Sequence, residues 1–110
     1  MQKTSILTLS IPATAVITAE RFITAAGAPA AAAGNAAGVA DSNGTIGQLV
    51  PTTALGTAVV VAGGAIAKGA AVEVGTAGKA VTLASGKAVA RALSAATADG
   101  DRIEVLLIPN

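Results

Sequence analysis

In Lys68-Gly69-Ala70-Ala71-Val72-Glu73-Val74-Gly75-Thr76-Ala77-Gly78-Lys79-Ala80-Val81-Thr82-Leu83, Val72 and Val74 fall on one side of an extended chain and Glu73 on the other. This period-two alternation is that of a half-buried strand. Gly75 to Gly78 supplies a turn, Ala80 to Leu83 a second strand, and Ser85-Gly86 the flexible pair of a tight hairpin. Outward from this stretch the pattern repeats. Arg102-Ile103-Glu104-Val105-Leu106-Leu107-Ile108 alternates and then turns apolar on both faces, as in a strand at the sheet centre or at a subunit contact. Residues 87–98 fit one longish strand or a helix with Val89, Leu93 and Ala96 on one face; the flanking Gly86 and Asp99-Gly100 favour the strand.

The first half is less regular. Residues 20–26 read as a core strand anchored by Phe22, residues 27–37 as an Ala-rich loop with at most one helical turn, and Asp41-Ser42-Asn43-Gly44 as a turn. Residues 4–11 alternate and are rich in β-branched side chains up to Pro12, which suits a strand or extended arm. Strands this short between Gly-rich turns predict a mainly β, single-domain antiparallel sandwich or barrel-like fold. An N-terminal arm over residues 1–18 and a compact β domain over residues 19–110 complete it, with at most one short helix.

Composition limits the chemistry. Of 110 residues, 29 are Ala and 28 are Val, Ile, Leu or Phe, so the chain folds, but around thin aliphatic layers with Phe22 as its single aromatic. A core this light gains from burying surface against further copies. His, Cys, Tyr and Trp are absent, which leaves carboxylates, lysines, arginines and hydroxyls as the reactive groups. No pair of carboxylates is placed for acid-base work, and no catalytic residue is nominated. Asp99, Asp101 and Glu104 lack the ligand run of a calcium loop and read as a solvated turn before a strand. Gly78-Lys79 and Gly86-Lys87 are each followed by Ala, where a phosphate loop needs a hydroxyl, and read as turns. No metal, cofactor or small-molecule substrate is expected.

Seven basic and six acidic residues are spread along the chain for a net charge of +1, without the cationic cluster or aromatic platforms of a nucleic-acid surface. Low net charge favours dense packing of copies. The apolar stretch after Lys3 has the outline of a secretory signal ending at Ala19, but Thr4, Ser5, Thr8, Ser10, Pro12 and Thr14 interrupt it, and an uncleaved segment is expected. It is too polar and too broken for a membrane-spanning helix.

A Gly-rich turn enters the strand at Ala71-Val72-Glu73-Val74, followed by Gly78-Lys79-Ala80-Val81. Ala92-Leu93-Ser94-Ala95-Ala96 comes after Gly86-Lys87, and Gly100-Asp101 leads into Ile103-Glu104-Val105. This order resembles the capsid decoration (cement) proteins of tailed bacteriophages, over about the last half of the chain in motif and over the first half in composition. The resemblance implies a structural protein of the virion, made in the host cytoplasm and bound to the outer surface of an icosahedral head. There it stabilises the shell by bridging capsomers, with the major capsid protein and copies of itself, as a trimer, for partners. It also implies a capsid-binding arm, for which Thr4, Ser5, Ile6, Leu7, Thr8, Leu9, Ser10 and Ile11 are the candidates. The competing reading is a secreted or cell-surface β-rich binding module, motivated by the Thr and Ala content; the threonines lack the period of an ice-binding face.

Overall fold

A computed structural model describes residues 2–110; Met1, the first residue of the expected arm, lies outside the described residues. The fold is mainly β. Its strands are β1 (Ser5–Pro12), β2 (Phe22–Ile23), β3 (Gly38–Ala40), β4 (Leu49–Val61), β5 (Ala71–Val74), β6 (Ala80–Thr82), β7 (Ala90–Ala92) and β8 (Arg102–Leu107). A 3-10 turn at Thr76–Gly78 joins β5 to β6.

The thirteen-residue β4 organises the molecule. Its first half lies between β1 and β3, since Thr52 pairs with Leu9 on one side and Ala40 on the other. Its second half pairs antiparallel with β8, followed in order by β7, β5 and β6. A parallel bridge between Ala62 and Ala80 then returns β6 to the end of β4. Five strands thereby close into a barrel-like sheet. So few strands enclose a narrow interior that accepts mostly small side chains. Ala58, Val60, Ala62, Val72, Val74, Ala80, Ala90, Ala92, Ile103 and Val105 fill it, which accounts for the alanine content.

Two cores follow from the pleat. On the sheet of β2, β3, β4 and β1, Phe22 and Val39 point into the main core, while Ile23, Ala40, Val50 and Ile11 point to the other face. Ala13 and Ile17 cover that second face. Arg102 and Glu20 tie the sheet to the barrel through a forked pair, Nε to Oε1 at 2.9 Å and Nη2 to Oε2 at 2.5 Å.

Four expectations change. Ser85-Gly86 does not close a hairpin, because β6 and β7 lie on opposite edges of β5 and residues 83–89 must cross its end. That crossing also buries Glu73 to 5% exposure, and its Oε1 accepts the Ala84 N–H at 2.5 Å. β8 is central, between β4 and β7, but only Ile103, Val105 and Leu107 are buried; Leu106 points outward, 43% exposed. Residues 87–98 hold the three-residue strand β7 and a bridge from Ala96 to Ile66, with no helix. Gly27 to Ala37 is the expected loop, and the strand expected over residues 20–26 is the two-residue β2.

Candidate functional site

The residues expected to bind a partner form β1 and the position before it. Thr4 N–H donates to the Thr57 hydroxyl at 2.7 Å, and its carbonyl accepts the Thr57 N–H at 2.8 Å. Lys3 pairs with the Asp41 carboxylate, which also accepts the Thr53 hydroxyl at 2.9 Å. Among the described residues, β1 pairs with β4 alone, which makes it an edge strand.

The phase of that edge can be worked out. Asp41 N–H donates to the Pro51 carbonyl, so Pro51 and Thr53 turn their backbone polar groups toward β3. Val50 and Thr52 therefore turn theirs toward Ile11 and Leu9 of β1. The N–H donated by Ala13 to Gln48 is in the same phase. Along β1 this leaves the amides and carbonyls of Thr8 and Ser10 directed away from β4. Natural edge strands are ordinarily protected by charge, proline or bulges. Between Lys3 and Glu20 there is no charged side chain, and only Pro12 and a bulge at the opposite end bound the open stretch. Side chains repeat the theme: from Ser5 through Ser10 every residue is exposed, and Ile6 reaches 77%.

A second feature lies on the other side of β4. β3 leaves β4 at Thr53 and β8 joins it at Thr57, so on that side Ala54, Leu55 and Gly56 have no strand beside them. The notch opens into an apolar cavity of about 320 Å³ lined by Phe22, Ala36, Leu55, Val89, Leu107 and Ile108 among others. At its rim the Asn110 side chain accepts the Ala36 N–H at 2.9 Å and donates to the Ala36 carbonyl at 3.1 Å. No local pattern in the sequence marks this notch, since it is made by the ends of two strands distant along the chain.

The remaining polar groups are engaged structurally. Asp101 accepts the Thr97 N–H at 2.8 Å, the Thr97 hydroxyl at 2.9 Å and the Ala98 N–H at 3.2 Å; these bonds hold its carboxyl below the ordinary carboxylate range. Asp99 pairs instead with Lys79 at 3.0 Å. The two carboxylates are thus committed to different partners. Asn43 Oδ1 accepts the Ala19 N–H at 2.7 Å within the expected turn. No helix among the described residues is long and apolar enough to cross a membrane.

Comparison with known proteins agrees with this inventory. A model of the phage cement proteins matches residues 1–107. Among solved structures, the N base of the head fiber gp8.5 of bacteriophage phi29 superposes with a TM-score of 0.74 over 93% of each chain, at 20% identity. The shared fold is the content of that likeness. No individual curated protein matches the sequence. With the family match running across both the edge strand and the barrel, this chain belongs to the phage cement protein family, the structural virion proteins that sit on the outside of the capsid.

Proposed function

We propose that the protein stabilises an icosahedral phage head by adding the open edge of β1 to a strand of the major capsid protein, so that each oligomer bridges neighbouring capsomers. The observation that carries this reading is the uncharged, one-sided edge strand on a member of the cement family. Strand addition draws affinity from backbone hydrogen bonds and specificity from alternate side chains. Thr8 and Ser10 offer the outward N–H and C=O groups, while Leu7 and Leu9, each 41% exposed, continue the face that Ile11 closes in the second core. A single edge this short binds weakly. Three held in one trimer make the later contacts intramolecular and raise avidity by ~10²–10⁴ where the spacing fits the shell. No reactive group takes part; shape and repetition suffice.

The phase of the edge gives a sharp test. Ser10→Pro removes an outward N–H and none directed at β4, and proline is tolerated at such edge positions. The variant is expected to keep the wild-type circular dichroism and melting temperature while co-sedimentation with expanded heads falls at least about tenfold. Co-sedimentation at the wild-type level would remove β1 from the binding surface. Deleting residues 1–11 is a blunter version of the experiment, because it also takes Ile11 out of the second core.

A further inference from the structure

The β1–β4 ladder contains two compensating irregularities. Thr8 faces Thr53, Leu7 faces Leu55 and Ser5 faces Gly56, so Ala54 is the extra residue on β4 and Ile6 the extra residue on β1. Gly56 permits the arrangement: its φ is +99°, and a Cβ there would lie 2.2 Å from the Thr4 carbonyl oxygen and 2.9 Å from the Ile6 nitrogen. The irregularity lies between two features on opposite sides of β4. On the β1 side Ile6 is the most exposed large apolar side chain among the described residues; on the other lies the Ala54–Leu55 notch left by the ends of β3 and β8, with its cavity.

We infer that Ile6 of one copy seats in the notch of the next, a heterologous contact that holds copies of this chain together. Size supports it. The cavity of about 320 Å³ stands at the low end of the ~300–1,000 Å³ typical of ligand pockets, enough for an aliphatic side chain and part of its strand. Its walls are mostly aliphatic, with Phe22, Pro109 and the single polar side chain of Asn110 among them, and an aliphatic knob matches the apolar part. Charge supports it too. No charged side chain lines the cavity, and none lies between Lys3 and Glu20, so closing the contact desolvates no charged side chain at either the knob or the socket.

Apolar surface flanks the knob. Leu7 lies beside the knob, and Leu106, the cross-strand partner of Thr57, adds a further exposed aliphatic side chain next to the bulge. A knob and a socket at different places on one chain make a head-to-tail contact, which ends in a ring when the rotation closes. The outward amides of Thr8 and Ser10 are not consumed by this contact. The inference concerns copies of the chain in the absence of heads, and it succeeds or fails separately from shell binding.

The test is sedimentation equilibrium of the full chain without heads. Ile6→Ser removes the knob and Ala54→Leu fills the socket from a half-buried position. Each is expected to weaken association at least about tenfold, and the double variant no further than either alone, because both remove one contact. A wild-type chain that stays monomeric up to its solubility limit overturns the inference, as do additive losses or an Ile6→Ser variant that associates normally. Should Ala54→Leu fail to fold, cross-linking keeps the question open to refutation, since the chain has no native cysteine. Ile6→Cys mixed with Ala36→Cys is expected to give a disulfide-linked mixed pair under mild oxidation. Formation of Ile6→Cys self-pairs alone would mean that β1 edges meet each other, and the socket assignment would fall.

Discussion

Asp101 shows how a single carboxylate can be structural in a chain this poor in polar chemistry. Its three hydrogen bonds from Thr97 and Ala98 fasten the turn that delivers Arg102 to β8. Those bonds favour the charged form and depress its pKa. A depressed carboxyl contributes stability above its unfolded-state pKa and loses the contribution as pH falls through the folded-state value. Asp101→Asn is therefore expected to be less stable than wild type at neutral pH, with the difference vanishing in acid below the ordinary carboxylate range. Denaturant melts at a series of pH values would show this, and a difference independent of pH would refute it. Asp99-Gly100-Asp101 was legible as a turn from sequence alone because Asp and Gly carry turn geometry locally. Which of the two aspartates closes the turn was not, since Lys79 claims Asp99 from twenty positions away.

At the scale of elements, β5 could be read to the residue because its alternation is local and glycines stand close to both ends, Gly69 two residues before it and Gly75 directly after. β4 could not. Pro51 near its start argues against a central strand, and only the pairing shows why it is tolerated: the position supplies its carbonyl to Asp41, and β3 ends there. The order of strands around the barrel was equally hidden, because β5 sits between β6 and β7 and neighbours in space are not neighbours in sequence. The bulge at Gly56 belongs to this scale as well. Gly56→Ala places a methyl group against the Thr4 carbonyl and forces a positive φ on a residue that resists it. The expected outcome is local: amide exchange at Leu9 and Ile11, which bond β4, accelerates, while Val60 inside the barrel stays protected. Uniform acceleration across the chain would mean that β1 and the barrel unfold as one unit.

For the molecule as a whole, the governing quantity is the width of the barrel. Alanine at Ala58, Ala62, Ala80, Ala90 and Ala92 is fully or almost fully buried, so the interior is occupied by backbone approach rather than by bulk. Enlarging such a site costs more than its added apolar surface returns. Ala90→Leu is expected to destabilise by about 1–3 kcal/mol. For a domain of this size that lowers the melting temperature by about 4–8 °C per kcal/mol, and calorimetry would detect it. A neutral or stabilising result would show spare room in the barrel. The continuity of β4 through both sheet and barrel bears on how a shell protein meets internal pressure. A load entering through β1 along its axis strains the whole β1–β4 ladder in shear, so its bonds resist together instead of peeling one after another. The same strand then continues past Gly56 into its ladder with β8, so one covalent strand carries the force from sheet to barrel.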